Sequence, residues 1–443
     1  MNTGIKSIIT LSFILLLIAP ETFGQAATKE WTLRNCIDYA LQNNIQVKKM
    51  QVVVKVNEAG YEQSKAARLP SLNGGASESF SHQQALQSNL STRESSFTGD
   101  YFLRSDMTLY NGSKLTNNIA QQELFVKSAA LGVTESQNNI ELAVTAAYLQ
   151  VLYARESVNN AVNRLSASKA LADQAKIQYD AGYIAESNYA QVQAQYSSDT
   201  YTLVTARNNL SQQLLSLKQL LELDINQELN LYFPELSDSL VLKPIPSEQD
   251  VYNSALSFMP EIENGKLSVN SAEYNIRIAK AGYSPSLSLS ASTSTGYNNR
   301  VSNGFATQMG DNFYQNVGLS LSIPIFNNKQ VKTSVSRATL GLETARLDDA
   351  ATRKDLLSRV ESAYLNAVSA QSRFLAATEQ LKSTDKSYSL VEAQFNLGMK
   401  NTVDLLTEKI KYQAAQEEFL QAKYAAILNY KLLDFYQQKK IEL

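Results

Sequence analysis

The sequence is poor in the residues on which most enzymes and metal sites depend. It has one cysteine (Cys36), one histidine (His82) and one tryptophan among 443 residues. A single cysteine excludes an intrachain disulfide and any zinc site built from several cysteines. A single histidine excludes two-His metal motifs, and the sequence has no glycine-rich phosphate loop. These absences predict a protein that is not an enzyme and that holds no cofactor and no metal.

The sequence also lacks an excess of charge of either sign. The 40 Lys and Arg residues nearly balance the 42 Asp and Glu residues, and the net charge is −2. Hydrophobic residues make up 44% of the chain and charged residues 19%. This composition is typical of a folded protein rather than a disordered chain or a nucleic-acid binder. We therefore expect a folded protein with no nucleic-acid partner.

Long apolar runs are missing except at the N-terminus. There, Lys6 precedes the apolar residues 8–18, and Pro20 and small residues follow, which is the layout of a secretory signal peptide. Eleven residues span only ~17 Å of helix, against ~30 Å of hydrocarbon in a bilayer. We expect cleavage after Gly24 and an exported chain that starts at Gln25 and has no transmembrane helix.

Proline and glycine are absent from long stretches of the chain. No proline lies between Pro70 and Pro234 or after Pro324, and residues 183–264 contain no glycine. Because these two residues are the main helix breakers, their absence favours very long helices. If residues 113–181 form one helix, it is ~100 Å long, which exceeds the dimensions of a globular domain of this size.

Small and apolar residues recur at alternating steps of four and three, which is the period of a coiled coil. One such seam covers residues 140–179, and it recurs at residues 356–395, 216 residues later. Gly182 and Gly398 follow the two seams at the same spacing. Alanine and valine dominate both seams, so that helices can pack closely side by side. The chain is therefore a duplication of helix, strand pair, very long helix, glycine turn and long helix.

The duplication predicts the domain boundaries. They are a signal peptide at 1–24, a first repeat at 25–232 with a strand pair at about 71–111, a connector at 233–246, and a second repeat at 247–443 with a strand pair at about 285–326.

The predicted strands have one apolar and one polar face. In residues 317–325 the odd positions are apolar and the even positions are mostly small or polar. The first strand pair has an apolar face with Tyr101, Leu103, Met107 and Leu109, and a polar face with Arg104 and Asp106. A soluble sheet over a core would show the same alternation. Export, and long helices whose apolar surface is already used by their seams, favour a barrel with lipid outside and water inside.

Details of the strands refine this interpretation. Tyr110 and Phe326 end two strands, where an interfacial aromatic girdle would lie. Glu78 falls on the lipid-facing side, so we expect it at the outer rim, and we expect His82 in a solvent-facing loop at 81–99. Four strands cannot close a barrel, so the pattern demands an oligomer.

The signal peptide, the tandem repeat, the strand pairs between long helices and the junction Pro324-Ile-Phe-Asn327 together resemble the TolC-like outer-membrane efflux proteins. The resemblance implies a mixed, mainly α fold: a long antiparallel α-helical coiled-coil barrel plus a membrane β-barrel completed by trimerisation. It also implies helices at 225–250 in an equatorial belt. The expected location is the outer membrane, with a long periplasmic extension.

The function that the resemblance implies is a passive exit duct of a tripartite efflux or type I secretion system. Its partners would be two further copies of the chain, a periplasmic adaptor (membrane fusion) protein, an inner-membrane transporter and outer-membrane lipid. The cargo stays open among drugs, metal ions and proteins. The alternative is a secreted coiled-coil structural protein or adhesin, which explains the heptads and the export but not the strands.

The resemblance also implies a gate at the periplasmic helix turns. The residues that match its positions are the latch residues Phe395 and Lys400, the ring residues Asp404 and Thr407, the first-repeat counterpart of Asp404, Asn188, and the turn glycines Gly182 and Gly398.

Three gate residues depart from the family pattern. Phe395 replaces a tyrosine and lacks its hydroxyl, and Lys400 replaces an arginine and loses bidentate pairing. Thr407 replaces a second aspartate, so that one acidic ring at most remains. Asp404 has a second interpretation, because a carboxylate in the first turn of a helix capped by Thr402 stabilises the positive end of that helix.

Overall fold

A computed structural model of the protein describes residues 30–87, 90–234 and 236–443. The predicted signal peptide, residues 1–24, lies outside the described residues. The first half of the chain contains α1 (Leu33–Asn43), α2 (Ile45–Ala66), β1 (Asn73–Gln87), β2 (Leu90–Tyr110), α3 (Lys114–Asp180) and α4 (Glu186–Leu220). The second half contains α5 (Glu248–Phe258), α6 (Pro260–Lys280), β3 (Ser286–Asn298), α7 (Phe305–Asp311), β4 (Tyr314–Ser322), α8 (Gln330–Asn396) and α9 (Thr402–Tyr436).

The long helices have the same lengths in both halves. Helices α3 and α8 each have 67 residues, and α4 and α9 each have 35. At 1.5 Å per residue, the longer pair spans ~100 Å. None of the described helices is both long and apolar enough to cross a bilayer. The predicted long helices, and a fold that is mainly α, are therefore confirmed.

The predicted seams are the buried faces of these helices. In α8 the buried residues are Leu356, Val360, Ala363, Ala367, Ala370, Phe374 and Ala377, with Ala345 further towards the N-terminus. Helix α8 packs along α9, and α3 packs along α4, so each pair forms an antiparallel coiled coil. Since most of the seam residues are small, the two helices of a pair can approach closely.

The four strands form one antiparallel sheet in the order β1-β2-β3-β4. Opposite positions place like residues together: Leu287 pairs with Leu321, and Leu289 pairs with Leu319. On β4 the side chains of Val317, Leu319 and Leu321 are 75%, 67% and 61% exposed. The apolar face of this strand is therefore uncovered within the described chain, which contradicts a soluble sheet packed over its own core.

The first strand pair differs from its prediction in two places. Leu109 was expected on the apolar face, but a bulge between Thr108 and Tyr110 shifts the register there. As a result, Tyr110 takes the position opposite Leu287. The expected loop at 81–99 is wrong, because β1 extends to Gln87 and β2 begins at Leu90. Within these strands, Nδ1 of His82 lies 2.9 Å from Oγ of Ser95. The serine and glutamine residues that indicated a loop lie in the two paired strands, where Ser81 is opposite Ser96 and Gln83 is opposite Glu94.

Glu78 does lie on the apolar face of the sheet, in register with Gly99 and Tyr297. Its carboxylate accepts hydrogen bonds from the hydroxyls of Tyr101 at 2.5 Å and Tyr297 at 3.1 Å. These two bonds satisfy an acidic side chain on an otherwise apolar surface.

The connector between the repeats is mostly irregular, so the helices expected at 225–250 are wrong. Apart from one 3-10 turn (Asp238–Leu240), regular helix resumes only at Glu248. Pro234, Pro244 and Pro246 interrupt the backbone here. The segment instead lies against the main hydrophobic core, in which Leu231, Leu236 and Val241 are buried together with residues of α3, α8 and α9.

Each coiled coil reverses at a glycine with a left-handed backbone conformation. Gly182 has a φ of 76° and Gly398 a φ of 75°. The N–H of Tyr183 bonds to the carbonyl of Gln178 at 2.8 Å, and the N–H of Met399 bonds to the carbonyl of Gln394 at 2.9 Å. Both turns are therefore Schellman motifs, in which glycine avoids the strain that a Cβ would introduce.

Gly398→Ala should lower the free energy of unfolding by about 1–2 kcal/mol, because alanine is strained in the left-handed region. Gly341→Ala is the matched control: this exposed glycine lies inside α8, a Cβ meets no atom within 4 Å, and alanine should stabilise the helix by about 0.5–1 kcal/mol. Chemical unfolding in detergent, followed by circular dichroism, measures both. Shifts of the same sign would contradict the assigned role of Gly398.

Candidate functional site

The helix turns of the two repeats lie side by side at one end of the molecule. A cleft of about 250 Å³ separates them and is lined by residues of both turns. Four of the predicted gate residues line it: Asn188 from the first repeat, and Phe395, Gly398 and Lys400 from the second. Asp404, Thr407 and Gly182 are not among its lining residues. The cleft is thus the place where the two coiled coils meet next to their turns.

Helices α4 and α9 begin at equivalent positions of the two repeats, and Asn188 and Asp404 are each the third residue. The start of α4 has no side-chain cap. The start of α9 is capped by Asn401, whose Oδ1 accepts a hydrogen bond from the N–H of Asp404 at 2.9 Å. The expectation that Thr402 is the N-cap is therefore wrong. Thr402 is the first helical residue and is buried.

Lys400 forms an ion pair with Asp404. The distance from Nζ of Lys400 to Oδ2 of Asp404 is 3.6 Å, and both side chains are about two-fifths exposed. An exposed pair of this kind contributes only ~0.2–1 kcal/mol. Phe395 lines the same cleft as Lys400, but the ionic contact of Lys400 is with Asp404 in the first turn of α9, four residues further along the chain. The basic residue and the acidic residue therefore move together with the start of α9.

Further from the turns, three charged residues meet where α3, α4 and α9 come together. Arg164 lies on α3, Asp199 on α4 and Lys409 on α9, and Asp199 and Lys409 are only 3% and 4% exposed. Nε2 of Gln195 donates to Oδ1 of Asp199 at 3.0 Å, whereas Oδ2 of Asp199 has no hydrogen-bond partner among the described residues. An Nη of Arg164 donates to the carbonyl of Gln413, and its Nε is likewise unpartnered within the described chain.

Burial lowers the pKa of Lys409, while the nearby carboxylates of Asp199 and Glu392 partly oppose this shift. Burial also lowers the pKa of Arg164, partly opposed by Glu417 and Asp199. Both directions mean that the charges are desolvated and incompletely compensated. We call Arg164, Asp199 and Lys409 the ionic cluster.

A second polar contact joins α3 to α9. The hydroxyls of Tyr153 and Ser157 donate to Oε1 of Glu417 at 2.5 Å and 2.9 Å. Burial, with this hydrogen bond, raises the pKa of Tyr153 to about 12. Between Tyr153 and Arg164, α3 therefore contacts α9 through polar groups, whereas the seam inside each coiled coil is apolar.

The ionic cluster was missed in the sequence because charged residues on long helices usually face solvent. The repeat holds a signal that could have found it. Ala415, 216 residues after Asp199, is fully buried. The second repeat thereby marks the position of Asp199 as an interior one.

Asp199→Ala should loosen α9 from α3 and α4, because it removes the one buried carboxylate that acts on both Arg164 and Lys409 and leaves each of them with a single nearby carboxylate, Glu417 or Glu392. Removing one member of a buried charged group costs about 3–5 kcal/mol. Hydrogen–deuterium exchange of the first three turns of α9 measures the loosening. Asp173→Ala, at an exposed position on α3, is the control and should leave exchange unchanged. Equal exchange in both variants would show that the cluster does not hold α9.

A sheet with an uncovered apolar face, continued by two antiparallel coiled coils, defines the class of outer-membrane channels with a helical extension. Residues 36–222 and 251–434 match the family described as "Outer membrane efflux protein", and the chain belongs to this family. Membership confirms the resemblance, the fold class, the outer-membrane location and the function as an exit duct. The family consists of channel and transport proteins.

Individual relatives cover most of the chain. The outer membrane efflux protein BepC of Brucella suis biovar 1 (strain 1330) is 23% identical over 95% of this chain and 88% of its own length. The outer membrane protein TolC of Escherichia coli (strain K12) is 26% identical over 85% of this chain and 74% of its own. The crystal structure of CusC has a TM-score of 0.75 at 19% identity, and the match covers 93% of each chain; it supports the fold.

Proposed function

We propose that three copies of this chain form one duct that docks, at the helix turns, with a periplasmic adaptor protein and an inner-membrane transporter. The observation that carries the proposal is the exposed apolar face of β4, with Val317, Leu319 and Leu321. Four strands with free edges at β1 and β4 cannot enclose a pore, and three copies would supply twelve strands, a number within the range of membrane barrels.

The alternative function, a secreted coiled-coil structural protein or adhesin, gives no reason for this surface. A rod in water would expose a row of large apolar side chains on β4 at a considerable cost in solvation and a risk of aggregation. A lipid environment on that face removes the cost, because the residues that face water in the monomer would then face hydrocarbon.

Leu321→Arg should reduce the amount of assembled protein in the outer membrane, since an arginine facing mid-bilayer lipid costs about 2–4 kcal/mol. Ser320→Arg is the matched control on the neighbouring position, which faces the polar side of the sheet. We expect near-normal assembly of that variant in fractionated membranes. Normal assembly of Leu321→Arg would mean that this face does not contact lipid.

We propose further that Asp404 and Lys400 set the ion selectivity of the tip. In a trimer, three Asp404 carboxylates would surround one axis, each with the ammonium of its own Lys400 at 3.6 Å. Rings of carboxylates favour cations in other channels, and the paired lysines would weaken that field. Phe395 and Asn188, which line the adjoining cleft, would provide the contact between the two coiled coils, and Thr407 would leave the next ring position neutral.

Asp404→Asn, which copies the first-repeat residue Asn188, should lower cation selectivity and block by multivalent cations. Lys400→Ala should raise conductance and cation selectivity, because it frees the carboxylate of Asp404. Planar-bilayer recordings of the purified protein measure both quantities. If Asp404→Asn changes neither selectivity nor block, Asp404 serves only the N-terminal end of α9, to which a carboxylate contributes ~0.3–1 kcal/mol.

A further inference from the structure

Exposed basic side chains without acidic partners lie where the sheet meets the long helices. Arg277 and Lys280 are in the last turn of α6, and Lys329 and Lys332 are at the start of α8. All four are exposed. In the described chain, none of them forms an ion pair with a carboxylate within 4.0 Å. We call these four residues the basic collar.

At this junction, a cleft lies on the side of the polar face of the sheet. A cleft of about 590 Å³ is lined by the polar-face residues Thr108, Ser286, Ser288 and Ser322. On the helices, Ile278 and Ala279 of α6 line the same cleft, as do Val331 and Ser334 of α8. The cleft therefore opens on the side that would face the water-filled interior of a barrel.

The collar lies on the other side of these helices. Successive residues of an α-helix are rotated by about 100°, so Lys280 points away from Ile278 and Ala279. On α8, Lys332 is rotated by about 100° from Val331 and by about 160° from Ser334, the two residues of this helix that line the cleft. Lys329 directly precedes the helix as its N-cap residue. Lys280 and Lys332 thus point away from the cleft, towards the side that carries the apolar face of the sheet, whereas Lys114 at the start of α3 lines the cleft and is not part of the collar.

The outer surface changes in a fixed order along the chain from β4 to α8. Leu321 and Ile325 are apolar and exposed, Phe326 is an exposed aromatic residue, and Lys329 and Lys332 follow. Hydrocarbon, the interface and charged headgroups are met in the same order on leaving a bilayer, and aromatic and basic residues favour the second and third of these layers.

We propose that the basic collar binds the anionic phospholipid headgroups of the periplasmic leaflet of the outer membrane. The proposal rests on insertion of the sheet in that membrane and is independent of cargo and of the adaptor. Near an anionic surface, each basic residue favours binding by about fivefold. The four residues together should therefore give a preference for anionic over zwitterionic lipid of well over tenfold.

The test uses native mass spectrometry of the purified full-length protein in detergent, titrated with phosphatidylglycerol or phosphatidylethanolamine of identical acyl chains. The collar variant carries Gln at Arg277, Lys280, Lys329 and Lys332. The control variant has the same loss of charge, with Gln at Lys49, Lys169, Lys354 and Lys386, which are exposed residues far along the helices from the junction. A double variant, Lys329→Gln with Lys332→Gln, covers the case in which the collar variant assembles poorly.

We expect the wild-type and control proteins to prefer phosphatidylglycerol by more than about tenfold, and the collar and double variants to lose most of that preference. The absence of a preference in assembled wild-type protein would overturn the collar while leaving the duct intact. Equal loss in the control variant would also overturn it. Displacement of the lipid by millimolar inorganic phosphate would show a site for free phosphate and not for a membrane surface. Failure of the wild-type protein to assemble in the outer membrane would instead overturn the proposed duct.

Discussion

Close packing of small residues along the two coiled coils is the constraint on which the remaining structure depends. In α8, Ala363, Ala367 and Ala370 are buried against neighbouring helices. Larger side chains at these positions would separate the helices, and overpacking of a well-filled contact costs about 1–3 kcal/mol. A wall that is one helix thick can curve into a tube only if its helices stay close. The long stretches without proline, and with scarce glycine, serve the same end by keeping each helix unbroken.

The contacts between the coiled coils obey a different rule from the contacts within them. Asp199 and Lys409 are buried and Arg164 is partly buried. Oδ2 of Asp199 and Nε of Arg164 have no hydrogen-bond partner among the described residues, and Glu417 accepts two hydroxyls. Buried ionic contacts of this kind add little net stability compared with apolar packing. Nearer the turns, α9 therefore meets α3 and α4 through charged and polar side chains, whereas further from the turns α3, α8 and α9 share one hydrophobic core. Such a division suits a tip that changes its opening while its helices remain intact.

The sequence predicted the features that depend on periodicity and on helix breakers. The seams, the two glycine turns and the strand pairs are local patterns that tertiary structure did not override. The predictions failed where two neighbouring residues could each cap a helix, and where a polar stretch indicated a loop but forms strands. Asn401 and Thr402 are both good caps, and only backbone geometry selects Asn401. The polar composition of residues 81–99 indicated a loop, yet His82 and Ser95 lie on paired strands and their side chains are in hydrogen-bond contact.

Of the candidate site, the sequence located the turn but not its contacts. The family resemblance implies a latch role for Lys400 between helices, and the structure adds an ion pair of Lys400 with Asp404 in the first turn of α9. Such pairing depends on side-chain rotamers that no pattern encodes. The ionic cluster required a comparison of the two repeats, because only the burial of Ala415 reveals that Asp199 is an interior position.

Single-particle electron cryo-microscopy of the purified protein in lipid nanodiscs tests the central claim most directly. We expect three copies around one axis, one closed barrel of twelve strands in the lipid with the apolar face of β4 outward, and the turns at Gly182 and Gly398 at the far end of the helices. A monomer, or a sheet whose Leu319 and Leu321 contact protein instead of lipid, would contradict the proposed duct.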